Sequence, residues 1–198
     1  MYPPESPILK QVIAHLNKFI EVNEKDAQEI LTFFEVRNLK KKEIIAEAGS
    51  LCNFNYFVLS GCLHMYFITD KGTERTVQFA IENWWMTDYL ALHHRTASDF
   101  FIQAVEDAQI LSITYDKQEQ LLTQFPKLER YFRIINQISY GSSIRKVKHI
   151  YNLSKEEIYF NFITQFPEFE QRVPQFLIAS FLGLTPEYVS EIRGKKRS

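Results

Sequence analysis

The sequence has very few of the residues that build metal clusters. Its 198 residues include only two cysteines, Cys52 and Cys62, which do not have CxxC spacing. A zinc finger or a four-thiolate iron–sulfur cluster needs more ligands than that, so neither is expected. Motifs of common enzyme classes are missing as well, since no P-loop, nucleophile elbow or HExxH sequence occurs. We therefore expect no cofactor and no enzymatic activity.

Long hydrophobic runs are also missing. A membrane-spanning helix needs about eighteen or more apolar residues in a row, and the chain has no such run. The opening residues MYPPESPILK lack the apolar core of a signal peptide. The net charge of -1 and the pI of about 6.5 exclude a strongly basic, histone-like protein but not a local basic patch. These features favour a cytoplasmic protein with no membrane partner.

Apolar and aromatic residues, in contrast, are abundant. Hydrophobic residues make up 45% of the chain and aromatic residues 15%, with 17 phenylalanines. A chain of this composition can bury a substantial core and is not typical of disorder. Its length suits one large domain or two small ones.

The hydrophobic pattern changes twice along the chain. Residues 7–34 have helical spacing, and residues 36–115 have short β-branched and aromatic runs separated by turns, which predict a small sandwich or barrel. Helical spacing returns in a long segment at about 116–150. We therefore predict a barrel with its long helix over residues 1–150, and a small helical domain over residues 151–198.

Capping and turn residues mark several element ends. Asn23 is expected to cap a second N-terminal helix, and Asp116 the helix that follows the strands. Residues 70–72, Asp-Lys-Gly, predict a hairpin tip. Ser154 and Glu157 have capping-box spacing. Residues 141–143, Gly-Ser-Ser, predict a bend or flexible joint in the long helix.

The stretch QFLIASFLGLTPEYVSEIRGKK, residues 175–196, has the pattern of a helix-turn-helix. Gly183 suits the left-handed turn, Thr185 an N-cap and Pro186 the first helical turn, while the small Ala179 permits close helix crossing. Apolar residues stand at the helix-turn-helix positions that face the shared core of the two helices: Ile178, Leu182, Leu184, Val189 and Ile192. The alternative is an ordinary helical hairpin without DNA-binding function.

The charges around this stretch favour the DNA-binding interpretation. From residue 171 onward, two acidic residues, Glu187 and Glu191, accompany five basic ones. The basic residues are Arg172, Arg193, Lys195, Lys196 and Arg197. A local charge of +3 has the sign that phosphate contacts require. The alternative for the last residues is a solvated tail.

With these helices placed behind a barrel and a long helix, nearly the whole chain resembles the Crp/Fnr family of bacterial transcription regulators. The motifs that carry the resemblance are YFVLSG, DKGTE and ASFLGLTPEYVSEIR. The resemblance implies an α+β fold. Its parts are an N-terminal β-barrel or jelly roll of cyclic-nucleotide-binding type with flanking helices, a long dimerisation helix, and a C-terminal winged-helix-like helix-turn-helix domain.

The resemblance also implies partners and site residues. The partners are promoter DNA, a second copy of the chain and RNA polymerase, with a small-molecule effector left open. The residues implied for DNA binding are Thr185, Pro186, Glu187, Tyr188, Ser190, Glu191, Arg193, Lys195 and Lys196. Those implied for the dimer helix are Leu128, Tyr131, Phe132, Ile135 and Ile138. The alternative for the second group is packing against the protein's own barrel.

The expected effector pocket departs from the family pattern. Members that bind cyclic nucleotides carry a Gly-Glu pair and then an arginine that neutralises the phosphate. Thr87 and Asp88 stand at the first pair, and Ser98 and Asp99 at the second. The candidate residues of this degenerate pocket are Trp84, Trp85, Asp88, Arg95, Ser98 and Asp99. Since a buried phosphate needs a cation, cyclic AMP is not the expected effector. Either side chains or an unknown ligand fill the pocket.

The helix-turn-helix domain, which would read the DNA bases and is called the reader below, also departs from the family pattern. Pro186 and Glu191 occupy positions where family arginines face guanine, and only Glu187 matches. A carboxylate at Glu187 could accept a hydrogen bond from cytosine. Weak DNA binding is therefore an open alternative, which would make the chain a ligand-sensing or interaction module.

A cupin-type metal enzyme is a third possibility. That site needs a closely spaced His-x-His with further ligands, but His64 stands alone and His93 and His94 are adjacent, so that on a strand they would face opposite sides. Haem ligation by a histidine, which would add His149 to the candidates, has little support, because a lone histidine is more often structural.

Overall fold

The computed structural model describes residues 6–197, with side chains described for residues 6–194. The helices are α1 (Pro7–Leu16), α2 (Glu24–Leu31), α3 (Tyr89–His94), α4 (Tyr115–Gln124), α5 (Lys127–Asn152), α6 (Lys155–Gln165), α7 (Pro167–Arg172), α8 (Gln175–Leu182) and α9 (Pro186–Arg197). The strands are β1 (Glu35–Leu39), β2 (Ile44–Ala46), β3 (Phe54–Ser60), β4 (Leu63–Ile68), β5 (Glu74–Ala80), β6 (Trp85–Met86), β7 (Phe101–Ala104) and β8 (Ala108–Thr114).

The strands form a sandwich of two antiparallel four-stranded sheets, which confirms the expected jelly-roll architecture. One sheet has the order β1-β8-β3-β6 and the other β2-β7-β4-β5. Tyr56 pairs with Ser112 in the first sheet, and His64 with Gln103 in the second. The predicted hairpin between β4 and β5 is present, with Gly72 at φ 75° and its N–H bonded to the Thr69 carbonyl at 2.8 Å.

The two N-terminal helices cover the outer face of the first sheet. Asn23 caps α2 as predicted, since its side chain accepts the Asp26 N–H at 2.8 Å. The apolar faces of α1 and α2 pack with Phe57 and Trp85 from the sheet and with the start of α5. This cluster fixes the long helix to the sandwich.

The helices after the sandwich differ from prediction in two details. Thr114, not Asp116, caps α4, because the Thr114 hydroxyl accepts the Lys117 N–H at 3.3 Å. Asp116 instead lies in the first turn of α4 and pairs with Arg95. The long helix α5 continues through residues 141–143 without interruption, because one glycine and two serines lower helix propensity without breaking the backbone hydrogen bonds.

The C-terminal part consists of helices α6 to α9. The Ser154–Glu157 capping box is complete. The Ser154 hydroxyl accepts the Glu157 N–H at 3.3 Å, and the Glu157 carboxylate accepts the Ser154 N–H at 2.7 Å. Between residues 153 and 197 the structure has no strand, so the likeness to a winged helix is limited to the helices. Within the described residues, no helix is both long and apolar enough to span a membrane.

Candidate nucleic-acid interface and effector pocket

Helices α8 and α9 form the predicted helix-turn-helix. Gly183 ends α8 in the left-handed conformation, at φ 71° and ψ 24°, and the Leu184 N–H reaches the Ala179 carbonyl at 2.8 Å. The Thr185 hydroxyl then accepts the Tyr188 N–H at 3.2 Å, which caps α9. The expected core positions Ile178, Leu182, Leu184, Val189 and Ile192 are all buried, and so is Ala179, the small residue expected where the helices cross.

The outward face of α9 is available to a ligand within this single chain. Pro186, Glu187, Ser190 and Glu191 are exposed, and Tyr188 is half-buried beneath the Lys155 ammonium, 6.0 Å from its ring centre. The side chains of Lys195 and Lys196 lie outside the described residues. The helix therefore presents short polar and acidic side chains over its first two turns.

Two arginines of the predicted local +3 charge, Arg172 and Arg193, have carboxylate partners inside the protein. Arg193 lies 3.3 Å from Glu170 and donates to the Gln175 side chain at 3.0 Å. Arg172 lies in a separate cluster with Glu82 and Glu106, at 2.8 and 2.6 Å. These contacts reduce the positive charge that the described part of the reader presents to solvent.

The interior of the sandwich is filled by its own side chains. Eleven buried residues from both sheets form one cluster: Leu39, Tyr56, Val58, Leu63, Met65, Ala80, Met86, Ile102, Ala104, Ala108 and Ile110. Phe54, Val77 and Phe100 pack against this cluster from its edge. The space between the sheets is therefore an apolar core.

The residues expected at a nucleotide phosphate are only partly together. The Ser98 hydroxyl donates to the Asp88 carboxylate at 3.0 Å, and the other oxygen of Asp88 caps α3 by accepting the Ala91 N–H at 3.1 Å. Thr87 donates to the Phe54 carbonyl at 2.8 Å. Asp99 is exposed. The Asp88 carboxylate thus takes up hydrogen bonds that a bound anion would otherwise receive.

The remaining pocket candidates lie elsewhere. Arg95, at φ 55°, bonds to Asp116 at 2.7 Å and lies 4.9 Å from the centre of the Tyr115 ring. Trp84 is partly exposed and packs edge-on against Phe166, with 6.0 Å between ring centroids. Trp85 is buried on the outer face of the first sheet. Each of these three side chains thus contacts partners other than Ser98.

Trp85 belongs instead to a buried polar chain beneath α1 and α5. Its indole N–H donates to the Tyr131 hydroxyl at 2.8 Å, and the same hydroxyl is hydrogen-bonded to His15 Nε2 at 2.7 Å. Burial, with a smaller contribution from Lys18, lowers the pKa of His15 to about 4. The neutral imidazole is therefore the folded form at neutral pH.

The long helix α5 divides its predicted interface residues between two faces. Leu128 and Tyr131 are buried in the protein's own core, and Phe132 and Ile135 pack against it. Only Ile138, 55% exposed, faces away. Further along, sequence reasoning missed a set of exposed apolar residues: Tyr140, Ile144, Val147, Ile150 and Tyr151.

Histidines and cysteines do not gather into a site. Among the described residues, no group of three or more His, Cys, Asp or Glu side chains could hold a metal ion. His64 is buried between Thr76 and Gln103, whereas His93 and His94 lie on helix α3 and not on a strand. The adjacent pair therefore does not face opposite sides of a sheet, because helical geometry replaces strand alternation.

A second missed feature is the contact of helix α8 with both the long helix α5 and the sandwich. The Lys146 ammonium lies 3.5 Å from the centre of the Phe181 ring of α8, and burial lowers the pKa of Lys146 to about 8. Ser180 of α8 accepts the Thr76 N–H of β5 at 3.0 Å. Neither residue has a sequence motif that signals such a long-range contact.

Comparisons with known proteins agree with this architecture. The family model described as the cyclic nucleotide-binding domain matches residues 36–125. The chain is 24% identical to an anaerobic regulatory protein of Haemophilus influenzae, over 88% of this chain and 72% of that protein. It is 25% identical to the anaerobic regulatory protein of Aggregatibacter actinomycetemcomitans, over 79% and 65% of the two chains.

Solved structures share the fold at lower identity. The c-di-GMP-responsive global regulator CLP from Xanthomonas campestris has a TM-score of 0.71 at 15% identity, over 88% of this chain and 92% of its own. FixK2 from Bradyrhizobium japonicum has a TM-score of 0.69 at 15% identity, over 82% and 83%. At such identities the likeness is one of fold.

Proposed function

We propose that this chain is a DNA-binding transcription regulator of the Crp/Fnr type that works as a homodimer in the cytoplasm. The observation that carries the proposal is the helix-turn-helix behind the sandwich, with a capped α9 whose outward face is exposed. A second helix presented in this way fits the major groove of DNA. We assign residues 1–150 to the sensor with its dimer helix, and residues 151–198 to the reader.

The exposed face of α5 is the surface we assign to the second copy. Tyr140, Ile144, Val147 and Tyr151 are spaced four, three and four residues apart, which puts them on one side of the helix. Each is between 48% and 87% exposed. A two-fold pairing of this helix with its twin covers the same patch on both chains, as symmetric dimers require. The two readers would then face a palindromic operator.

The proposed effector response does not involve cyclic AMP. The filled sandwich, the Ser98–Asp88 hydrogen bond and the outward-turned Arg95 all support this part of the proposal. A cyclic phosphate placed near Asp88 would meet a carboxylate instead of a cation, which is costly away from water. The regulator would therefore act without a nucleotide or through a different ligand.

Base and backbone contacts are assigned to the start of α9. Ser190, Glu187 and Glu191 are exposed there, next to the Thr185–Pro186 cap, with Tyr188 beside them. Arg193, Lys195 and Lys196 are assigned to the DNA backbone, and Arg193 must exchange its contact with Glu170 for phosphate. RNA polymerase is a further partner implied by the function.

Enrichment of genomic fragments tests the proposal. The purified chain is mixed with fragmented DNA of its own organism, with and without cell extract, and the bound fragments are sequenced. We expect defined fragments to be enriched by the wild type and by the control variant Gln120→Glu, which adds the same charge on exposed α4. Enrichment should be lost in Ser190→Glu, because a carboxylate on the outward face of α9 repels phosphate. Equal enrichment by both variants would contradict the assignment of α9.

A second candidate is an interaction module with weakened DNA binding. The observation that favours it is the neutral reader: residues 154–198 contain six basic and six acidic residues, and Arg172 and Arg193 already have carboxylate partners. If this candidate were correct, the wild type would enrich no fragment in either condition, while a protein partner from the extract would be retained equally by both variants.

A further inference from the structure

The reader is attached to the edge of the sandwich as well as to the end of α5. Strand β5 is the outermost strand of its sheet, so part of its backbone lacks a neighbouring strand. Ser180 of α8 supplies the hydrogen bonds that a neighbouring strand would otherwise make. Its hydroxyl accepts the Thr76 N–H at 3.0 Å and donates to the Glu74 carbonyl at 3.3 Å. The first helix of the reader thus satisfies polar groups of the sensor.

Aromatic packing accompanies this edge contact. Phe79 of β5 contacts Phe169 of α7 and Phe181 of α8, with ring centroids 5.3 and 5.2 Å apart. These three rings belong to the same apolar cluster as the core of the helix-turn-helix. Aromatic packing holds the surfaces together but tolerates small rotations, so it does not by itself define one orientation.

A charged cluster next to these rings, formed by Arg172, Glu82 and Glu106 and called the clamp, defines a single orientation of the reader on the sandwich. Arg172, the last residue of α7, donates two hydrogen bonds to the carboxylate of Glu82, at 2.8 and 2.9 Å. It donates two more to Glu106 Oε1, at 2.6 and 3.0 Å. Glu82 also accepts the Gly61 N–H at 2.9 Å, which anchors its carboxylate to the sandwich. A planar guanidinium bound on two sides fixes direction as well as distance.

The charges of the clamp make it sensitive to loss of the arginine. Burial alone would raise the pKa of Glu82, but the hydrogen bonds from Arg172 and Gly61 hold it below its ordinary value. Glu82 and Glu106 are both about two-thirds buried and share this one guanidinium. Without it, the two carboxylates repel each other at the contact between reader and sandwich.

From this geometry we propose that Arg172 is a positioning residue, which fixes the orientation of the reader on the sandwich and hence the direction in which α9 faces. The effect of Arg172 on DNA affinity rests on the proposed DNA-binding function, whereas its effect on the orientation of the reader does not. In a dimer, two readers held at fixed orientations bind both half-sites of an operator without losing further rotational freedom. Arg172 is thus assigned to the internal clamp, and the phosphate contacts are left to other residues.

Residue-resolved amide exchange measures the orientation directly. The Thr76 N–H is protected by Ser180 while the reader is in place, whereas the Lys42 N–H, in the turn between β1 and β2, bonds to the Ala104 carbonyl of β7 at 2.8 Å, away from the reader. In Arg172→Met we expect exchange at Thr76 to accelerate by about tenfold or more, with exchange at Lys42 unchanged. Arg172→Lys, which keeps the charge but not the two-sided geometry, should give an intermediate rate.

Two further variants separate the clamp from general packing. Arg37→Met removes an arginine that lies near a single carboxylate, Glu43, at 4.0 Å on the sandwich, and it should leave Thr76 protected. The triple variant Arg172→Met, Glu82→Gln, Glu106→Gln removes the repulsion together with the attraction. It should recover part of the protection that Arg172→Met loses, since the carboxylates no longer oppose each other.

DNA binding supplies the functional readout. On the genomic fragment that the wild type enriches most, we expect Arg172→Met to bind about tenfold more weakly, with Arg37→Met unchanged. Unchanged exchange at Thr76 in Arg172→Met would overturn the proposal, and so would tighter DNA binding, which would make the clamp a restraint on the reader. If the wild type binds no fragment, the DNA-binding function fails, while the exchange rates still decide the role of Arg172.

Discussion

The guanidinium of Arg95 lies 2.7 Å from the carboxylate of Asp116, at the start of helix α4. This contact turns the arginine nearest to the degenerate pocket toward the protein surface. Ser98 and Asp88, which stand where a nucleotide phosphate is expected, are hydrogen-bonded to each other at 3.0 Å. A nucleotide phosphate placed beside Ser98 would therefore meet the Asp88 carboxylate instead of a cation.

We expect cyclic AMP at 1 mM to leave the melting temperature of the protein unchanged. If the nucleotide bound with a Kd of 10 μM, it would stabilise the fold by about 2.7 kcal/mol, which corresponds to a rise of several degrees for a chain of this size. Differential scanning fluorimetry measures this directly. A rise of that size would show that Arg95, or another cation, reaches the phosphate.

Replacement of Ile144 by aspartate is expected to separate the dimer. Ile144 lies at the centre of the exposed apolar face of α5. At a two-fold interface the substitution would bury one unpaired carboxylate from each chain, and both would destabilise the dimer. Light scattering coupled to gel filtration should give twice the 23.5 kDa chain mass for the wild type and a single chain mass for Ile144→Asp. Ile68→Asp is the matched control, because Ile68 is 49% exposed and Ile144 50%. A dimer that survives Ile144→Asp would place the interface elsewhere.

Acid pH is expected to weaken the fold through His15. Its pKa is lowered to about 4 in the folded protein, from an ordinary value of 6.5, so between these values the unfolded chain binds the extra proton. Unfolding is then favoured as pH falls, and the stability that neutral His15 contributes is present above pH 6.5 and lost toward pH 4. The loss amounts to about 3 kcal/mol at most.

Urea unfolding at a series of pH values isolates this contribution. The wild type should lose more stability between pH 6.5 and 4.5 than His15→Gln, which has no titrating group at that position. His93→Gln, on the exposed side of α3, serves as control and should follow the wild type. Parallel curves for the wild type and His15→Gln would mean that folding does not lower the pKa of His15.

Two glycines with similar backbone angles are expected to respond differently to alanine. Gly61 and Gly49 have φ of 91° and 84°, so a side chain at either position is strained, at a cost of about 1 kcal/mol. A Cβ added at Gly61 would lie only 2.6 Å from the Ala108 side chain, whereas a Cβ added at Gly49 would have no atom within 4 Å. In urea unfolding, Gly61→Ala should therefore lose at least about 2 kcal/mol more than Gly49→Ala. Equal losses would show that the β3–β4 turn can move away from Ala108.

The sequence predicted those features that depend on neighbouring residues. Gly183, Thr185 and the Ser154–Glu157 box take their expected places because turn and cap chemistry is decided within a few residues of the chain. The sandwich was predicted from short β-branched and aromatic runs separated by turns, which are also local features. The cap of α4 was misplaced by two residues, because both Thr114 and Asp116 have capping side chains and the end of β8 decides between them.

Features that depend on distant residues were not predictable from local patterns. Arg172 was counted in the local positive charge around the helix-turn-helix, since its sequence neighbourhood does not reveal that Glu82 and Glu106 face it. Similarly, the apolar spacing of α5 indicates a buried stripe but not what buries it. Leu128 and Tyr131 face the protein's own core, and the exposed face begins near Ile138.

The salt dependence of DNA binding tests the central claim most directly. On the most enriched genomic fragment, the logarithm of the wild-type binding constant should fall linearly with the logarithm of salt concentration, with a slope of about -4 or steeper for two readers that each contact several phosphates. Ile144→Asp should bind more weakly and show about half that slope, because a single chain carries one reader. A wild type that binds no fragment, or binds with an affinity that salt does not change, would contradict the account of this chain as a dimeric DNA-binding regulator.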